Sequence, residues 1–328
     1  MNFDLSRFHF TSPLHVANAR ADYGQSQRML HSDALYAAVM QAWALLGEPG
    51  WIADFVAGSH AFTLSSLFPF YGNAGGEPVY FFPKPYLQRR RDESADPGLA
   101  KKLKKAQWLE ADRWAAFLRN ESTTPAESDL RGTFLSARLP DPERLVASDV
   151  VPRIVRPRDE REDTRIFYTE RLYFSDDSGL FGLVRYDGDE AHRRLHVALR
   201  LLADEGLGTD RAVGNGRFRL ETATLALDLP AESTHAVALS LYGPETPDQL
   251  REFLDEHAGY EVVKRGGWLS EPHNTLRKRS VYFFREGSVL RTAARPQGKT
   301  IDLRPDVLPA EHSVWRVGKA LFVPVTLS

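Results

Sequence analysis

The chain has 328 residues, 42% of them hydrophobic and 26% charged, with no cysteine and a formal net charge of −2. The absence of thiols excludes disulfide scaffolds, thiolate metal sites and cysteine nucleophiles, and suits a reducing cytoplasm, the expected location. Near-neutral charge offers no global attraction for a polyanion, so such a partner has to be held by local patches. No basic leader precedes an apolar run, and no stretch approaches the roughly 18–20 apolar residues of a membrane span, so no membrane partner is expected.

In chain order, residues 3–10 predict a first strand, with Phe3, Leu5, Phe8 and Phe10 apolar. Ser32 as N-cap, Asp33 in the first turn and Gly47 as stop frame a helix over 34–46. That helix is apolar nearly all round, which predicts burial. Residues 60–87 mix aromatic and turn residues and predict short irregular strands. The aromatics between Phe68 and Phe82 and the basic stretch 89–105 are expected to face partners. A helix ends near Leu118, and 128–170 is Arg-rich and broken by proline. Strands at 166–174 and 180–186, a helix at 189–203, a glycine-rich loop at 206–216 and a strand at 218–229 follow.

After Pro230 the pattern restarts: strand 236–241, helix 247–257, strands 260–264 and 280–284, and a last strand at 320–327. Strand, helix, two strands and a final strand outline a ferredoxin-like unit whose second helix is reduced to loop. The first part follows the same order with large insertions. The expected fold class is α+β, with two ferredoxin-like domains, 1–230 and 231–328.

The glycine-rich loop is the most informative segment. Gly206, Gly208, Gly214 and Gly216 sit between a helix and a strand, with Asn215 inside the run and Arg211 and Arg217 beside it. Glycine permits positive φ and close backbone approach, so successive N–H groups can point at phosphates, while arginine adds bidentate donors. The dinucleotide fingerprint would need glycine at Arg211, and the P-loop would need Lys-Ser/Thr after its last glycine, so neither matches. A flexible connector is the competing reading. Gly298-Lys299-Thr300 imitates a P-loop tail, but Ala293 stands where its first glycine belongs.

His15 and His31 could each serve as a general base or an RNA contact, although structural histidines are commoner. His192 and His196 have the i, i+4 spacing of a metal pair, but no acid completes a His-Glu-x-x-His pattern, so no metal or cofactor is expected. Arg153, Arg156 and Arg158 form one basic patch. Residues 264–299 carry nine cations against Glu271 and Glu286. Such clusters on a neutral protein suggest grooves that track a nucleic-acid backbone.

Several blocks occur together in a fixed order. They are Leu14-His15, His31-Ser32-Asp33-Ala34-Leu35-Tyr36, Leu67-Phe68-Pro69-Phe70, Phe82-Pro83-Lys84-Pro85, the glycine loop, Gly287-Ser288 and Gly318-Lys319-Ala320-Leu321. Together they resemble RAMP subunit four of the Csm complex, the type III-A CRISPR effector of antiviral defence. The resemblance implies two RRM-like domains of the RAMP superfamily, with a β-hairpin thumb and a helical insertion in the first. It implies a non-catalytic subunit that holds the 5′ tag of the crRNA and bridges the large polymerase/cyclase-like subunit to the backbone RAMP subunit. The thumb would map to 150–168 and press into the guide, against target RNA, near the tag–spacer junction. The RNA-binding set is then His15, His31, Ser32, Arg153, Arg156, Arg158, Gly206, Gly208, Arg211, Gly214, Asn215, Gly216 and Arg217. Residues 159–163 at the thumb tip are mostly acidic and are expected to meet solvent or a partner protein. The alternative is a RAMP endoribonuclease that cuts the CRISPR repeat with His31 or His15 as base.

Overall fold

The computed structural model describes residues 1–17, 24–72, 76–87, 97–121, 125–155, 163–269, 273–292, 298–308 and 313–327. The first part contains β1 (Asn2–Phe10), α1 (Ser32–Leu45), α2 (Pro49–Val56), β2 (Phe62–Leu64), β3 (Phe68–Tyr71), β4 (Val79–Pro83), α3 (Pro97–Leu103), β5 (Trp108–Glu110) and α4 (Ala111–Leu118). It continues with β6 (Leu130–Arg131), β7 (Phe134–Leu135), β8 (Val146–Val155), β9 (Arg165–Phe174), β10 (Gly179–Tyr186), α5 (Asp189–Glu205) and β11 (Phe218–Ala226). The remainder holds β12 (His235–Ala238), α6 (Pro247–Phe253), β13 (Val262–Arg265), β14 (Val281–Phe284), β15 (Val289–Arg291), β16 (Thr300–Asp302), β17 (Trp315–Val317) and β18 (Phe322–Pro324). The α+β class expected from the sequence holds.

The main sheet runs β11-β1-β10-β3-β4-β5-β7-β6, with β2 also pairing β10. The central strand β1 is antiparallel to both neighbours, setting Arg7 opposite Glu221 on β11 and Phe181 on β10. Helix α1 packs on α5, and α5 on β10 and β11, so both helices back the central strands. In the C-terminal part β12 lies between β15 and β18, antiparallel to each. Bridges Tyr242↔Phe284 and Gly259↔Val289 tie the β13–β14 hairpin to the same layer.

The larger hydrophobic core crosses residue 230: Val237, Leu239, Val289, Leu321 and Val323 belong to one cluster with Phe8, Tyr36, Trp43 and Phe181. The aromatics between Phe68 and Phe82 are part of it, contrary to the expectation that they face partners. Phe68, Phe70, Phe81 and Phe82 are all buried, and Phe82 stacks on Trp114 with ring centroids 4.4 Å apart. Short strands that are buried on both faces lose the alternation that would have marked them as core.

Strands β8 and β9 form a two-stranded antiparallel hairpin with Ile154 opposite Ile166, Pro152 opposite Tyr168 and Val150 opposite Glu170. One face is apolar and uncovered: Val150, Ile154, Ile166 and Tyr168 are exposed. Among the described residues no helix is long and apolar enough to cross a membrane.

Candidate nucleic-acid interface

Three segments meet beside the end of β1: the residues just after it, the glycine loop that connects α5 to β11, and the base of the β8–β9 hairpin. The loop is pinned by its own backbone. Leu207 N donates to Gly216 O (2.9 Å), Thr209 N to His15 O (2.9 Å), Gly216 N to Pro13 O (2.8 Å) and Gly214 N to Arg211 O (2.9 Å). Arg217 N reaches Ser12 Oγ at 2.8 Å. Arg153 on β8 pairs with Asp210, and its guanidinium lies 5.9 Å from the Phe167 ring centroid. Arg211 donates to Gln41 Oε1 on α1 at 2.9 Å. The Arg217 side chain is exposed and forms no ion pair with any described residue.

The four glycines divide by function. An added Cβ at Gly206 would meet Asn215 O at 2.4 Å, at Gly208 His15 O at 2.4 Å, and at Gly216 Leu207 O at 1.9 Å. All three also have φ near +80°, so they are required by the loop's own packing. Gly214, at φ +86°, has nothing within 4 Å of its Cβ position and faces open space. Neighbouring backbone therefore accounts for glycine at Gly206, Gly208 and Gly216, whereas at Gly214 no neighbour does. Asn215 is buried as well, with Nδ2 unpartnered among the described residues, and is not a surface contact.

His15 is 1% exposed and its Nδ1 lies 2.7 Å from Glu170 O, so it joins the post-β1 segment to the hairpin rather than facing a substrate. His31 and Ser32 are buried at the N-terminus of α1 and engaged within the fold, unlike the surface contacts expected of them. The helix begins at Ser32 with His31 as its N-cap, and the Ser32 hydroxyl accepts from Leu241 N at 3.0 Å instead of capping the helix. His31 Nδ1 sits 2.8 Å from Glu286 Oε1, and the Ser66 hydroxyl donates to the same oxygen. Asp33 accepts two bonds from Arg265, both 2.9 Å, with Arg316 3.7 Å away. Burial alone would raise the Asp33 carboxyl, but Arg265 and Arg316 outweigh it and hold it far below the usual range. For Glu286 the penalty of burial is likewise overcome by His31 and Ser66. The His-Ser-Asp block thus clamps the N-terminal part to the C-terminal part. Nothing local marks this role, since the partners stand more than 200 positions away.

Arg156 and Arg158, with 159–162 of the acidic tip, lie outside the described residues. His192 and His196 stack at 5.9 Å on α5, and no metal-holding group of His, Asp or Glu occurs among the described residues.

Residues 231–325 match the model of the CRISPR Csm4 C-terminal domain. The "CRISPR system Cms protein Csm4" of Thermococcus onnurineus (strain NA1) is 25% identical over 292 residues, covering 85% of this chain and 88% of its own length. The Streptococcus thermophilus protein of the same description is 23% identical over 305 residues, covering 90% and 91%. Among solved structures, a chain of the Csm3–Csm4 subcomplex of the type III-A interference complex superposes with TM-score 0.67 at 18% identity, over 99% of this chain and 100% of that one. A chain of the Csm1–Csm4 cassette with pppApA gives 0.64 at 20% identity, over 100% and 99%. These likenesses are to Csm4 subunits of CRISPR systems, and the fold agrees with theirs. Residues 231–325 thus match the Csm4 C-terminal domain family, and the chain is similar to Csm4 proteins along most of its length.

Proposed function

We propose that the chain is the crRNA-binding subunit of a type III-A complex that holds the 5′ tag of the guide and bridges the large polymerase/cyclase-like subunit to the backbone RAMP subunits. It does so without catalysis of its own. Each of its two parts is read as a ferredoxin-like unit, divided near residue 230. The β11-β1-β10-β3 order with α1 and α5 behind it supports this for the first, and β15-β12-β18 for the second. The β8–β9 hairpin is read as a thumb that lays its apolar face, Val150, Ile154, Ile166 and Tyr168, against guide and target bases near the tag–spacer junction. The Csm1 and Csm3 chains named with the structural relatives support the two protein partners.

One observation carries the RNA reading. The open edge of the glycine loop at Gly214, the exposed Arg217 and the hairpin base fixed by Arg153–Asp210 lie on one surface. A backbone phosphate there could meet the Arg217 guanidinium, which pairs with no acid among the described residues, whereas Asp210 is taken up by Arg153. The non-catalytic reading is supported by the burial of His15 and His31, which withdraws both candidate bases from a substrate. The test is crRNA retention in the assembled complex. Arg217→Ala is expected to reduce it and to flatten the salt dependence by about one unit. Full retention in a folded double variant, Gly214→Asn with Arg217→Ala, refutes the RNA assignment of the loop. Metal-free cleavage of repeat RNA by the purified chain refutes the non-catalytic one.

A further inference from the structure

The β13–β14 hairpin presents two different faces. Its inner row is spent on the fold: Arg265 grips Asp33 at the start of α1, and Phe283 is buried. Its other row is covered at Phe284, which joins the smaller core cluster, and open from Val262 and Lys264 to Tyr282. Lys264 stands directly opposite Tyr282 in the ladder, and Tyr282 is 61% exposed. Beyond the ladder the two arms stay paired through a Trp268↔Arg277 bridge, and Trp268 is 50% exposed. Tyr260, 48% exposed, stands at the foot. Each of the two outer rings carries its own cation: Lys264 Nζ lies 6.0 Å from the Tyr282 centroid, and the Arg277 guanidinium lies 4.6 Å from that of Trp268.

We infer that this outer face is a second contact surface for single-stranded RNA, distinct from the glycine loop. Exposed aromatic rings, each with a cation beside it, on one hairpin match a single strand, which offers both stackable bases and phosphates. A duplex keeps its bases inside its own stack and offers them to no protruding ring. The local charge agrees. Lys264, Arg277 and Arg279 are exposed, Arg279 donates to Asp302 O at 3.0 Å and stands 3.7 Å from the solvated Asp306, and Glu261 at the foot is engaged by Arg285 and Tyr86. The choice of RNA over DNA rests on the proposed function; the stacking surface does not.

The two surfaces hang on one helix. Arg265 holds Asp33 and Arg211 holds Gln41, which lie about 12 Å apart along α1 at 1.5 Å per residue.

The experiment uses the full chain and a short fluorescent oligouridylate, read by anisotropy. Trp268→Ala and Tyr282→Ala are each expected to weaken binding about tenfold, with Tyr282→Phe close to the parent, because stacking needs the ring and not the hydroxyl. Lys264→Ala is expected to lower the salt slope by about one. Both rings are solvent-exposed, so melting temperatures should not move, and 4-thiouridine crosslinks should map to the hairpin. Unchanged affinity in a folded Trp268→Ala, Tyr282→Ala variant overturns the inference. So does loss of a protein partner with RNA affinity intact, which would make the face a protein contact. Equally tight binding of a deoxythymidylate strand overturns the choice of RNA. Arg217→Ala measured alongside separates the readings: if it weakens binding and the ring variants do not, the hairpin inference fails while the proposed function stands. The reverse pattern moves RNA binding from the glycine loop to the hairpin.

Discussion

Replacing Asp33 by asparagine removes a charge and almost no volume from the seam between the two parts of the chain. Asp33 is fully buried, with Arg265 on its carboxylate and Arg316 close by, and neither guanidinium is well exposed. The cluster balances Asp33 and Glu286 against the two arginines. Asparagine leaves one buried positive charge without its counter-ion, a loss of about 3–5 kcal/mol. With an unfolding entropy of about 2.1 cal/mol/K per residue, a chain of 328 residues has ~0.7 kcal/mol/K in total, so Asp33→Asn should lower the melting temperature by about 4–7 °C. Adding Arg265→Met should restore much of that, because an apolar side chain of similar length does not need a counter-ion. Differential scanning calorimetry of the wild type, the single and the double variant makes the measurement. A shift below about 1 °C in Asp33→Asn, or no recovery in the double variant, refutes the account of the seam as a compensated buried ion cluster.

Three further outcomes are expected. His31→Ala should destabilise the chain by about 3 kcal/mol, because it strips the buried Glu286 of its imidazole partner, and should leave RNA affinity of the folded protein unchanged; thermal melting beside oligonucleotide anisotropy checks both halves of this statement. Gly216→Ala should unfold or strongly destabilise the loop, since its Cβ would stand 1.9 Å from Leu207 O, whereas Gly214→Asn, a residue that tolerates positive φ, should fold normally; melting curves of the two distinguish them. Burial, reinforced by Arg316, lowers the Lys278 amine to about 8, so between that value and the unfolded value of about 10.4 the unfolded chain binds the extra proton and this group's contribution to stability rises with pH. Lys278→Met should therefore gain most over the wild type near neutral pH and progressively less above pH 8, as read from urea midpoints across the range.

The elements legible in the sequence were those with local signals. β1, α1, α5 and β11 were framed by apolar periodicity and by caps or glycines, and the structure places them at nearly the predicted bounds. The strand β8 has no local signal, because Pro152 sits inside it, and only the resemblance placed a hairpin there. The two-stranded hairpin tolerates that proline opposite Tyr168, since no third strand needs its missing N–H. The helix α2 was missed because Pro49-Gly50 reads as a breaker, yet proline at a first helical position is favourable. At the site, the glycine loop was found from spacing, but spacing treats four glycines alike, and only the fold separates Gly214 from the three that meet neighbouring backbone. The burial of His31 and Ser32 has no local signal for the same reason. Polar residues before a helix look like a surface motif until Arg265, Glu286 and Arg316 arrive from the far end of the chain.

That distance matters during synthesis. Asp33 and Arg265 are 232 positions apart, so at about 5–20 residues per second the acid waits roughly 10–50 s on the ribosome before its partner exists. Throughout that interval the start of α1 cannot close, and the apolar side chains that later join β12 and β18 to the first part stay open to water. A nascent chain in that state is a natural client for a chaperone or for an assembling neighbour, and the half-built seam sets the time available for capture.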